Sequence, residues 1–190
     1  SEADNETRVV IPTLKTIEFL LESMVGLEEL QPPEHAFSTD LVKLIRDEIR
    51  AAPKDIHLVL ATCNTLSASV LFEEPTRTDA LSAMLMLLCH RYPKVRLVVA
   101  ETLHNQLVAS GDELGLDEDV VEHISGIIEE THWDKPTKEV RPLRDKIVEL
   151  LGLPPLPVSA TPAGASKGVA VAPPKVTGGG IAPAPLTPRN

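Results

Sequence analysis

The chain is poor in aromatic residues, which make up only 3% of its 190 positions. Because β-sandwiches and barrels draw heavily on aromatic and β-branched residues, this scarcity disfavours an all-β fold. No apolar run reaches the roughly 18 residues that a membrane-spanning helix needs; the richest stretch, residues 80–89, is ten residues long and includes Ser82. Two cysteines, Cys63 and Cys89, are too few for a disulfide framework and fit a reducing compartment.

Positive charge is also scarce, since the formal net charge is −10. That balance disfavours nucleic acid or a polybasic membrane anchor, both of which need a basic surface. The charge is unevenly divided, because residues 154–190 contain three basic residues and no acidic one, whereas residues 1–153 carry −13. Residues 154–190 also hold 9 of the 17 prolines and 5 of the 10 glycines. We therefore predict a disordered tail there. Residues 154–157 are either a polyproline ligand or simply a stop signal for the last helix, followed by a passive tail.

Apolar residues recur at spacings of three and four through residues 7–153, which predicts a helical domain with seven helices. The second, fourth and sixth helices are expected to start near residues 37, 77 and 117, each followed by a partner helix after a short turn. Helical hairpins with a period of about 40 residues are typical of HEAT and armadillo repeats. The predicted fold is all-α, a HEAT/armadillo-like α-solenoid of about three hairpins plus a leading helix, which belongs to a longer array.

The segment from Pro93 to Leu103 resembles the second helix of a HEAT repeat. Pro93 suits the first turn of a helix, Ala100 lets paired helices approach closely, and Leu103 continues the apolar stripe. Arg96 occupies the position that usually joins a polar ladder between repeats. We interpret Pro93, Arg96, Ala100 and Leu103 as fold determinants.

Further residues mark the expected helix ends. Prolines are expected at helix starts, a carboxylate can cap the sixth helix, and glycines suit C-terminal caps. Pro142 is tolerable only in or just after the first turn of the last helix. The residues are Pro53, Pro75 and Pro93 at starts, Asp117 as the N-cap, and Gly111 and Gly152 as C-caps.

Residues that could support catalysis or hold a metal are scattered. No local motif joins a Ser or Cys nucleophile to a His and an acid, and Cys63 and Cys89 both lie on apolar stripes, so we expect buried thiols. The six histidines form neither an HExxH nor another ligand pattern, and the glycines of residues 178–180 lack the Lys-Ser/Thr of a phosphate loop. We expect neither an enzyme nor a bound metal or cofactor.

One basic cluster stands out from the acidic body, at the turn between the fourth and fifth helices. His90, Arg91, Lys94 and Arg96 could contact an acidic partner, or they could serve the fold, with Arg96 in the inter-repeat ladder. Trp133 is either a core residue under a loop or an anchor for a partner. The candidate partner contacts are Arg91, Lys94 and Trp133.

Several segments resemble the C-terminal region of the tubulin-folding cofactor D family. They are CHRYP at residues 89–93 with Arg96 following, WD at residues 133–134, LLGLP at residues 150–154 and RVVIPTLK at residues 8–15. Together they cover about residues 8–155. The tail has no counterpart in this pattern.

The resemblance implies a large HEAT/armadillo solenoid that acts as a non-enzymatic chaperone. Such proteins bind β-tubulin and act with cofactors E and C to assemble or take apart the α/β-tubulin heterodimer. They also associate with a small ADP-ribosylation-factor-like GTPase, and the GTP hydrolysis that the cofactors stimulate is tubulin's own. The implied location is the cytoplasm and the microtubule cytoskeleton. Read from its residues alone, the sequence also fits a general HEAT scaffold of the transport, adaptor or phosphatase-regulatory type.

Overall fold

A computed structural model of the chain describes residues 2–23, 28–30 and 35–157. Within these residues the protein contains seven α-helices, one short 3₁₀ helix at Glu28–Leu30 and no strand, which confirms the all-α prediction. The helices are α1 (Glu2–Glu22), α2 (Phe37–Ala51), α3 (Ile56–Ser69), α4 (Thr76–Leu87), α5 (Pro93–Ser110), α6 (Glu118–Glu130) and α7 (Thr137–Leu150).

The repeat period is confirmed, because α2, α4 and α6 begin at residues 37, 76 and 118. Each is followed by its partner, so that three hairpins, α2–α3, α4–α5 and α6–α7, follow the leading helix α1. Helix α3 packs against α1 on one side and α5 on the other, and α2 packs against α4. This two-layer stacking of successive hairpins is consistent with a helical solenoid.

The third hairpin departs from regular stacking. Its helix α7 packs against α4 of the preceding hairpin, whereas a regular stack would place α7 on α5. Its helix α6 packs against α5. Spacing along the sequence predicts helix lengths but not the layer that each helix joins. The α6–α7 loop lies close to the α4–α5 turn.

Leu, Val and Ile side chains from every helix form the core, which explains how the fold manages with few aromatics. Ala100 is 1% exposed and Leu103 is fully buried. Burying a side chain of the size of leucine stabilises a fold by about 1.5–3 kcal/mol. The core runs through α1 to α7 and includes Leu14, Ile45, Leu66, Leu85, Leu103, Ile124 and Ile147.

The signals for helix starts agree with the structure in part. Pro93 is the first residue of α5, as predicted, and Pro75 is the N-cap residue of α4. Pro53, however, precedes the start of α3, whose N-cap is Asp55, with a side chain that accepts a hydrogen bond from the Leu58 N–H at 3.0 Å. Asp117 occupies the N-cap position of α6, but its side chain makes no capping hydrogen bond.

The two predicted glycine caps differ from each other. Gly152 has a φ of +66° and ends α7 as predicted, and the Leu153 N–H reaches the Val148 carbonyl at 3.1 Å in a Schellman arrangement. Gly111 keeps helical angles after α5, and the left-handed conformation belongs to Gly115, with a φ of +69°. Gly111 is needed for space, since an added Cβ would lie 2.9 Å from the Leu107 carbonyl oxygen.

Two prolines lie inside helices. Pro142 is the sixth residue of α7, just past the first turn, where the sequence allows it. Pro12 lies in the middle of α1 and was not expected there; its missing N–H removes one hydrogen bond from that helix.

The chain after α7 continues along the core for a few residues. Leu153 and Leu156 pack against the core cluster, and Leu156 lies within the segment that the sequence predicts to be the tail. The rest of the predicted tail, residues 158–190, lies outside the described residues. Among the helices that the structure describes, none is long and apolar enough to cross a membrane.

Candidate functional site

The predicted basic cluster lies where the α4–α5 turn meets the α6–α7 loop, and Arg96 joins the two. Its guanidinium donates hydrogen bonds to three backbone carbonyl oxygens: Trp133 at 2.7 Å, His90 at 2.7 Å and Lys135 at 2.6 Å. The first and third acceptors belong to the loop of the third hairpin and the second to the turn of Arg96's own hairpin. One side chain thus connects adjacent hairpins.

Arg96 is only 2% exposed, so this connection lies inside the fold. Burial is the largest influence on its pKa and lowers it, while Cys89 and Asp134 act in the opposite direction. The three carbonyl oxygens supply the polar environment that a buried guanidinium requires. The geometry therefore agrees with the interpretation in which Arg96 serves the fold by joining neighbouring repeats.

Trp133 is a core residue, in line with one of the two interpretations of the sequence. It is 3% exposed, and its indole Nε1–H donates a hydrogen bond to the Ile128 carbonyl oxygen at 2.9 Å. With its polar atom satisfied, the ring fills the space beneath the α6–α7 loop. Its backbone carbonyl accepts the bond from Arg96.

Arg91 and Lys94 are exposed, as a partner contact requires. The Arg91 guanidinium lies 5.1 Å from the centre of the Tyr92 ring, within cation–π range. Lys94 lies in the first turn of α5, which contains no acidic residue. The start of a helix carries partial positive charge, to which these two cations add, while Asp134 lines the same groove as Lys94.

His90 adds no charge to this surface at neutral pH. It is 8% exposed, and its Nδ1 accepts a hydrogen bond from the Tyr92 N–H at 3.3 Å. Burial lowers its pKa most, the nearby Pro53 backbone acts in the opposite direction, and the positive charges of Arg91 and Arg96 lower it further. The cluster of four basic residues seen in the sequence is therefore reduced to two exposed cations.

A shallow groove runs beside these cations, between the start of α5 and the α6–α7 loop. Leu97 projects into solvent there with 57% of its surface exposed. This residue falls off the apolar stripe of α5, so periodicity could have shown that it faces outward, but not that it borders a groove. The lining residues are Pro93, Lys94, Leu97, Thr131, His132, Trp133 and Asp134.

The groups that could perform other chemistry are kept apart or buried. Cys63 and Cys89 are buried free thiols; burial raises the pKa of Cys63 to about 12 and also raises that of Cys89. In the part of the chain that the structure describes, no three His, Cys, Asp or Glu residues are grouped so that they could hold a metal ion.

The fold and this junction define the class, an all-α helical-repeat protein. The family of the C-terminal part of tubulin folding cofactor D matches residues 1–57. The match confirms the family resemblance over α1, α2 and the start of α3, a little under a third of the chain; the motifs of the α4–α5 turn and the α6–α7 loop lie outside it. This is a chaperone-type family that is not known for enzymes. No solved structure matches the chain.

Proposed function

We propose that this chain is the C-terminal segment of a tubulin-folding chaperone that binds β-tubulin. In this role it acts with tubulin cofactors E and C in assembly and disassembly of the α/β-tubulin heterodimer, in the cytoplasm and at microtubules. The observation that carries the proposal is the match of residues 1–57 to the C-terminal family of tubulin folding cofactor D. The helical stack supports it, because solenoids offer long surfaces to large partners.

Arg91 and Lys94 are the proposed contact residues, with Leu97 beside them. These side chains are exposed at the rigid junction that Arg96 holds together. Two cations on an acidic body favour an acidic region of the partner, and an exposed leucine provides apolar contact area. A preorganised surface of this kind loses little conformational entropy on binding.

The protein itself performs no catalysis in this proposal. GTP hydrolysis occurs on tubulin, and the cofactors, together with a small ARF-like GTPase, regulate the cycle. The chain alone should therefore show no GTP turnover, and any stimulation should require tubulin.

Retention of purified β-tubulin and cofactor E on the immobilised chain tests the proposal. The same test is made with a longer chain that contains residues 1–190. Wild type should retain tubulin, and the double variant R91E/K94E should retain much less. The matched control is K15E/K43E, which reverses two exposed lysines on α1 and α2 and should bind like wild type. If neither chain retains β-tubulin or cofactor E, the chaperone proposal fails and a general helical scaffold takes its place.

A further inference from the structure

The chain leaves α7 as a short extended segment whose course is set by its prolines. Gly152 ends the last turn with a positive φ, and residues 153–157, named the proline segment, read Leu-Pro-Pro-Leu-Pro and belong to no helix, strand or turn. Each proline fixes its own φ at about −65°, and a residue that precedes a proline is pushed towards extended angles. Every residue of the segment falls under one of these two restrictions, and together they favour the polyproline II conformation.

The burial of the proline segment follows the threefold period of that conformation. Leu153 and Leu156 are partly buried and pack against the core cluster, whereas Pro154, Pro155 and Pro157 are exposed. A polyproline II helix has three residues per turn, so positions 153 and 156 share one edge, positions 154 and 157 share a second, and position 155 lies on the third. One edge therefore attaches the segment to the domain, and the proline edges are left accessible.

The accessible edges have the chemistry that proline-binding domains recognise. Proline has no backbone N–H, so the exposed positions offer apolar rings and carbonyl oxygens and no backbone donor that would need a partner on burial. Domains that bind polyproline II segments pack such rings into an aromatic-lined groove. A segment that is already extended loses little conformational entropy when it binds, and the packing of its leucines on the core restricts it further.

The two leucines distinguish between the kinds of groove that could bind this segment. The groove of an SH3 domain has two pockets, and each takes an apolar residue together with the proline that follows it. Here those pairs are residues 153–154 and 156–157, and the leucine of each pair is packed against the core. SH3 ligands also use a flanking arginine or lysine, and residues 147–166 contain neither.

The groove of a WW domain fits the exposed side of the segment. It takes two adjacent residues between two aromatic rings. Pro154 and Pro155 are adjacent, and both are exposed while the leucines stay on the core. The choice between a helix stop and a recognition element, which the sequence leaves open, is therefore decided by which edge of the segment the fold uses.

We propose that the proline segment is a docking site for a partner protein that carries a WW domain. Pro154 and Pro155 enter between the aromatic rings of that domain, and Pro157 extends the contact along the edge that it shares with Pro154. So short a segment forms an interface in the small class, under about 1,200 Å², so the association is weak and reversible. The site uses none of the residues assigned to tubulin binding.

Titration of the complete 190-residue chain into a purified, isotope-labelled WW domain that binds Pro-Pro-Leu-Pro peptides tests the proposal. The NMR signals of the groove's aromatic residues should shift and saturate. P154A/P155A should weaken binding by about tenfold or more, which corresponds to about 1.4 kcal/mol, while its circular dichroism spectrum stays like that of wild type. The control P173A/P174A changes another adjacent proline pair of the chain and should bind like wild type. Absence of binding, or binding that P154A/P155A leaves unchanged, would overturn the proposal.

A free peptide of residues 150–160 tests whether the fold presents the segment. Because the domain already holds the segment by its leucine edge, the complete chain should bind the WW domain at least as tightly as the peptide does. Binding by the chain that is more than about tenfold weaker than binding by the peptide would show that the fold hides the prolines, and would overturn the proposal. Stronger binding of the chain to an SH3 domain than to the WW domain would overturn it as well. Tubulin is absent from these experiments, so failure here is separate from failure of the proposed function.

Discussion

Replacing Arg96 with alanine removes the side chain that connects the second and third hairpins. The variant loses three hydrogen bonds to backbone carbonyl oxygens, those of Trp133, His90 and Lys135. The bonds to Trp133 and His90 are fully buried, so water cannot simply replace the guanidinium. The change therefore leaves acceptors without partners in the interior.

The expected loss of stability follows from these contacts. A hydrogen bond from a charged donor contributes about 1.5–3 kcal/mol, so two buried bonds that are not fully additive suggest a loss of about 3–5 kcal/mol. Against a typical total of about 5–15 kcal/mol, this is a substantial fraction. For a folded part of about 150 residues it corresponds to a Tm lower by about 10 °C.

Thermal unfolding followed by circular dichroism measures this effect. Arg91→Ala is the control, since Arg91 is exposed and contacts only the Tyr92 ring, and its Tm should fall by no more than about 2 °C. Arg96→Lys keeps the charge but not the three-way geometry and should lie between the two. A Tm for Arg96→Ala within 2 °C of wild type, together with lost tubulin binding, would refute the internal role.

Three further predictions concern other parts of the fold. Because the pKa of His90 is lowered in the folded state, the unfolded state binds more protons as pH falls below about 6.5. Urea titrations should therefore show that the free energy of unfolding falls from pH 7 to pH 5. The fall should be less steep in His90→Gln than in the control variant His123→Gln, which replaces an exposed histidine. Gly126→Ala should stabilise the protein by about 0.5–1 kcal/mol, since nothing lies within 4 Å of the added Cβ. Gly111→Ala should destabilise it, because the added Cβ would lie too close to the Leu107 carbonyl oxygen. A lower Tm for both variants would contradict this distinction. Deleting residues 158–190 should change the Tm by no more than about 2 °C, because that segment is rich in Pro and Gly and poor in large apolar residues; a larger drop would show that it docks.

Much of the helical framework was predictable because helix periodicity and helix ends are local properties. The starts of α2, α4 and α6 fall within a residue of their predicted positions, and Pro93 begins α5 as its chemistry suggests. Arg96 could be placed between repeats because its motif is characteristic of that position. These features depend on residues that are close together in the sequence.

The features that escaped prediction depend on long-range packing. The position of α7 on α4 is decided by which surfaces fit, and the spacing of apolar residues does not contain that information. The burial of Trp133 and the position of Leu97 beside a groove also depend on tertiary packing.

The most direct test of the central claim is an equilibrium titration of the αβ-tubulin heterodimer with residues 1–190 at low and high salt. The account predicts saturable binding that weakens as salt rises, because Arg91 and Lys94 contribute through charge. It also predicts that R91E/K94E loses this binding while its Tm stays close to wild type. Absence of binding at any salt concentration, or binding that R91E/K94E leaves unchanged, would contradict it.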